Sequence, residues 1–178
     1  MTKIFVGMLL VFLNFNFNIN HITIGLIPSF LGYIVMLLGL RELAQLSGWF
    51  SKAQPCALAM AVYTTGTYLM DLFGVSAWLG FFGIGLGLIS TVVSLVIGYM
   101  IVMGIKEAQT ARQQSLNADQ LYFTWKVYAI ASLAAFGLAL VPFIALVGAI
   151  VSFAAAVYFL VIFNKTRRLF DGQDTNAN

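Results

Sequence analysis

Charge is what this sequence has least of: nine Lys or Arg and six Asp or Glu in 178 residues, 8% of the chain. Soluble domains carry about 25% charged residues, so the surface of a water-soluble globule cannot be built from this composition. One cysteine, Cys56, excludes an internal disulfide and has no His or Cys at metal-ligand spacing. The three prolines, Pro28, Pro55 and Pro142, stand at or near the starts of apolar stretches. A missing N–H costs little there, so they are read as boundaries rather than kinks. The Walker lysine loop, HExxH, the GxSxG elbow and paired intramembrane histidines are all absent. The chain is therefore expected to be no enzyme and to hold no metal and no cofactor. Its basic residues sit singly between apolar runs instead of clustering on a polar face, which excludes nucleic acid as a partner.

What is present is apolar: 61% of residues are hydrophobic and 15% aromatic. A transmembrane helix needs about 20 largely apolar residues. Six stretches approach that length: Ile4 to Ile19, Ile22 to Leu40, Cys56 to Phe73, Trp78 to Ile105, Leu121 to Val141 and Phe143 to Phe163. The first has no small-residue cleavage site after it and is read as a retained span rather than a signal peptide. The expected fold is all-α, a six-helix transmembrane bundle of three helical hairpins over 1–168. A polar, disordered tail is expected over 169–178.

Charge placement fixes the orientation. Lys3, Arg41, Lys52, Lys106, Arg112, Lys126, Lys165, Arg167 and Arg168 all fall on one side of such a bundle, and the opposite gaps hold no Lys or Arg. Positive residues stay in the cytoplasm. A multi-pass protein of a bacterial cytoplasmic membrane with both termini inside is expected, with the lipid bilayer as its first partner. Trp49, Trp78 and Trp125 lie near span ends, as an aromatic belt requires. A weak repeat relates Ser29, Tyr33, Gly39, Leu40, Arg41 and Glu42 to Ser94, Tyr99, Gly104, Ile105, Lys106 and Glu107, with a fainter copy in Ser152, Tyr158 and Lys165. Repeats of this kind underlie many transporter folds.

Two features carry candidate functions. Span three places Thr64, Thr67, Tyr68 and Asp71 on one helical face, and an ionisable group at membrane depth marks a pathway or ligand contact by default. The alternating Asn14 to Asn20 stretch and His21 suggest an extended or irregular segment, which either covers a cavity beside that face or lies in the headgroups. Thr64, Thr67, Tyr68, Asp71 and His21 are the expected ligand-binding residues, for a small or amphipathic molecule that is bound or transported. The plainer reading has Asp71 ending its helix while the Thr hydroxyls bond backbone carbonyls one turn back. The second feature is a seam of Gly83, Gly87, Ser90, Ser94 and Gly98 along span four. Small residues let helices approach closely in lipid, so spans four and six are expected at the bundle centre. The seam also supports an alternative function, a structural or regulatory membrane partner subunit acting by helix packing.

The stretch from Asn18 through Ala53 reads Ile27-Pro28-Ser29-Phe30-Leu31-Gly32-Tyr33, then Gly39-Leu40-Arg41-Glu42-Leu43 and Phe50-Ser51-Lys52-Ala53. It resembles small uncharacterised six-span membrane proteins of Gram-positive bacteria, a resemblance that implies a membrane class and no activity. In size and topology the chain is also similar to the substrate-binding subunits of energy-coupling-factor vitamin transporters. That similarity implies docking through an Ala-x-x-x-Ala seam in the first span. Val6 to Val11 lack it, and Ala131, Ala135 and Ala139 place such a seam in span five.

Overall fold

The computed structural model describes residues 1–12, 16–19, 22–25, 28–73, 80–113, 115–138 and 142–174. Their order is α1 (Thr2–Phe12), β1 (Asn16–Ile19), β2 (Ile22–Gly25), α2 (Ser29–Leu43), α3 (Gly48–Leu72), α4 (Gly80–Arg112), α5 (Ala118–Leu138) and α6 (Pro142–Asp174). The body is helical as expected. The one departure among the described residues is an antiparallel β1–β2 hairpin, which pairs Asn18 with Thr23 and Phe17 with Ile24. Alternation of Asn with apolar residues suits the two-residue period of a strand and not a helix. That hairpin shortens the first two expected spans. At 1.5 Å per residue, α1 is only about 17 Å long and α2 about 22 Å.

Two described stretches are long and apolar enough to cross a membrane, Gly85–Arg112 and Val147–Gly172. The others fall short for legible reasons. α3 opens on Gly48, Ser51, Lys52 and Gln54 and carries Thr64, Thr65 and Thr67; α5 opens on Asp119, Gln120 and Lys126. Two expected boundaries also move. Pro55 lies inside α3, because that helix begins well before it at Gly48. α6 continues past 168 to Asp174, since Phe170 is buried and lies under the Arg112 guanidinium at 4.6 Å. Residues 175–178 of the expected tail lie outside the described residues.

Each helix packs on its sequence neighbours, and α6 returns to α1, so the six form a closed ring. α4 and α6, expected at the centre, are members of that ring like the rest, because no helix occupies the axis among these contacts. The tightest joint is α1 on α2. A Cβ at Gly7 would stand 2.7 Å from the Gly32 carbonyl oxygen, and one at Gly39 would stand 2.8 Å from the Ile4 nitrogen. Close approach of this kind multiplies dispersion contacts, which drive helix association where lipid supplies no hydrophobic force. Phe5 stacked on Phe163, with ring centroids 6.1 Å apart, closes α6 on α1.

Among the described side chains, the charged pairs gather at one end of the ring. Lys3 pairs with Glu42, Ser47 donates to Glu107, Lys106 pairs with Asp119 at 2.9 Å, and Thr2 donates to Asp171 at 2.6 Å. At the same end the α4–α5 turn is held by Gln109, whose side-chain oxygen accepts from the Leu116 and Ala118 backbone N–H groups at 3.0 and 3.1 Å. An orphaned backbone donor costs about 1–3 kcal/mol. Asn117, at φ 55°, is one of the few residue types that adopt this conformation readily.

Candidate functional site

The interior of the ring is filled at one end and hollow further along. At the charged end Ile4, Leu40, Phe50, Ile101, Ile105 and Phe163 are fully buried and belong to one packed apolar cluster. Beyond that layer lies a cavity of about 260 Å³ to which all six helices contribute, among them Phe12, Tyr33, Thr64, Ser94, Tyr128 and Phe159. The described residues of its lining include no charged side chain. Two recesses open beside it, of about 380 and 400 Å³, and Tyr128 borders all three spaces.

The threonine and α4 serine hydroxyls of the lining are already committed as donors. Thr64 donates to the Met60 carbonyl at 2.7 Å, Thr91 to Gly87 at 2.9 Å and Ser94 to Ser90 at 2.8 Å. With its proton spent on Ser90, Ser94 accepts from the Tyr33 hydroxyl at 2.7 Å. Ser and Thr at mid-helix bond back one turn because the carbonyl lies within reach of the short side chain. What remains for an occupant is mainly oxygen lone pairs between aromatic faces. Tyr128 stacks on Phe159 at 6.0 Å and meets the edge of Phe12 at 5.2 Å. On α5, Ser132 continues to Ser152 of α6 at 3.2 Å. A neutral molecule with an apolar body and its own hydrogen-bond donors suits this lining. A charged one would lose its hydration without a counter-ion.

Of the residues expected to bind, Thr64 reaches the cavity. Thr67 is half-buried and donates to the Thr64 carbonyl at 3.1 Å, while Tyr68 is exposed and meets the edge of Phe30 at 5.8 Å. Neither lines the cavity. Asp71 belongs to α3, but its side chain lies outside the described residues, as does His21 altogether. The expected packing seam is divided between uses. Ser90, Ser94 and Gly98 line the cavity. Gly98 lies under the Trp125 indole, and Gly87 faces Phe136. Gly83 falls in a part of α4 outside the described side chains. Ala135, the middle residue of the alanine seam of span five, is covered by Gly148 of α6.

Sequence reasoning did not single out Tyr128, Phe12 or Phe159. The signal for Tyr128 is Ser132 one turn on, a polar pair on an otherwise apolar helix. No family model, curated protein or solved structure matches the chain.

Proposed function

We propose that the chain is a six-span protein of a bacterial cytoplasmic membrane, both termini cytoplasmic, which binds a small uncharged or amphipathic molecule in the ring cavity. The observation that carries this reading is a cavity to which all six helices contribute, with no charged side chain among its described lining residues and a layer of fully buried apolar side chains at the charged end. The membrane assignment draws on the outer surface, where Leu31, Ile34, Val62, Ile89, Ile130 and Ile150 are all exposed. A helix apolar on its buried and its exposed faces alike suits lipid rather than water. The hairpin departs from Phe12 and returns at Ser29, both in the cavity lining, and so is tethered where a cover belongs. The partner-subunit alternative draws less support, because Gly87 and Gly98 already face residues of this chain.

Trp125 lines the cavity and reports on its contents. Naphthol, neutral and with a single donor, should quench tryptophan fluorescence saturably in the protein reconstituted in lipid nanodiscs. Ser94→Phe fills the cavity and should weaken that binding by roughly tenfold or more, because a ligand must bury most of its surface to bind. Leu31→Phe, on the outer face, should not. Equal binding by the wild type and Ser94→Phe sinks the ligand reading. Orientation is checked in a Cys56→Ser background by placing a cysteine at Ser115. A membrane-impermeant maleimide should label it in inverted vesicles and not in intact cells; the reverse pattern sinks the topology.

A further inference from the structure

Between α4 and α5, on the side of Trp125 away from the central cavity, runs a groove of about 360 Å³. Val92, Val96, Ala129 and Leu133 line its length, and Tyr99 and Trp125 stand at its charged end. Val92, Val96 and Leu133 are 43%, 38% and 45% exposed, so the groove is open to whatever surrounds the ring. Trp125 is fixed as its wall by an indole N–H bond to the Leu95 carbonyl at 3.2 Å.

At that end the rings form a continuous cluster. Tyr99 lies 5.1 Å from Trp125 and 6.0 Å from Trp49, and Tyr122 stacks on Trp125 at 6.1 Å. Lysines lie on both flanks, Lys52 over Trp49 at 5.0 Å and Lys126 over Tyr122 at 4.3 Å. Lys106, also beside Tyr122, is committed to Asp119. Among the described residues no carboxylate lies within ion-pair distance of Lys52 or Lys126. An apolar channel therefore ends at interfacial aromatics and two cations without a counter-charge. Aromatic belts mark the headgroup level, and basic pockets between spans on the cytoplasmic side suit anionic headgroups.

We propose that the α4–α5 groove holds one anionic phospholipid of the cytoplasmic leaflet, an acyl chain along Val92, Val96 and Leu133 and the phosphate between Lys52 and Lys126. The inference rests on the membrane reading above and is independent of the ring cavity. Lysine suits the task because its long stem lies along apolar surface while the ammonium reaches the headgroup layer.

The test is native mass spectrometry of the detergent-extracted chain mixed with phosphatidylglycerol or phosphatidylcholine. One phosphatidylglycerol should be retained in preference to phosphatidylcholine. Lys52→Gln and Lys126→Gln should each weaken that retention about fivefold, and together roughly twentyfold. Ala129→Trp, which fills the groove, should reduce binding of both lipids. Lys165→Gln with Arg168→Gln, charges at the same end of the ring, should leave phosphatidylglycerol retention unchanged. Full retention by the Lys52/Lys126 double variant overturns the site, and so does an equal loss from the Lys165/Arg168 pair. Alkaline extraction of membranes separates the two failures. A chain released into the aqueous fraction overturns the membrane reading and the lipid site together; a chain that stays in the membrane but binds lipid regardless of Lys52 and Lys126 overturns the site alone.

Discussion

Gly32→Ala should cost the folded chain about 3 kcal/mol, the upper end of what one extra methyl costs in a well-packed interior. The added Cβ would stand 2.8 Å from the Gly7 carbonyl oxygen and 2.9 Å from the Val11 nitrogen. Both are backbone atoms, so no rotamer change relieves the collision and α1 must move off α2 as a body. Gly7 meets the same obstacle from the other side, at 2.7 Å from the Met36 nitrogen. Gly66 and Gly85 have nothing within 4 Å of a built Cβ. At those positions alanine should stabilise by about 0.5–1 kcal/mol, the usual helical gain over glycine. Thermal unfolding of the four variants in one detergent checks the contrast. If Gly32→Ala melts with Gly66→Ala, the α1–α2 contact is not the close one described.

The second large effect is a non-additive pair on the α3–α4 joint. A Cβ at Gly104 would lie 2.7 Å from Cε1 and 2.9 Å from Cζ of the fully buried Phe50. Gly104→Ala should therefore cost about 2 kcal/mol by overpacking. Phe50→Ala removes the ring and leaves a cavity, at about 3 kcal/mol. In the double variant the new methyl meets space rather than a ring, so the combined loss should fall short of the sum by roughly 1 kcal/mol or more. Measured additivity within error would mean that the two residues do not share a joint.

The placement of charge was legible from the sequence, because lysine and arginine are too costly to leave in an apolar run. The structure gathers Lys3, Glu42, Lys106, Asp119 and Asp171 at one end accordingly. Helix-to-helix proximity was not legible. The dense Gly83 to Gly98 seam pointed to close approach at the bundle centre, whereas the closest joint uses the sparser Gly7, Gly32 and Gly39 on two helices. A single chain of letters reveals small residues on one helix but not which helix receives them. The Asn alternation showed an extended segment and left its strand pairing unstated, since register depends on both strands. Thr64 and Tyr68 share a helical stripe, yet only Thr64 meets the cavity. Periodicity gives a residue's azimuth on its helix and says nothing of the depth at which the neighbours part.

The ring has an order of assembly written into it. Among the described residues the extended backbone joints lie between helices consecutive in the chain, except α6 on α1, made by Phe5 with Phe163 and Thr2 with Asp171; other non-consecutive helices meet through single side chains, as Tyr33 with Ser94, Phe12 with Tyr128 and Arg112 with Phe170. Helices delivered to a membrane one after another would first build a curved wall, open along one side to lipid. The enclosed space comes into being only when the sixth helix meets the first, so the cavity is the last thing such a chain makes.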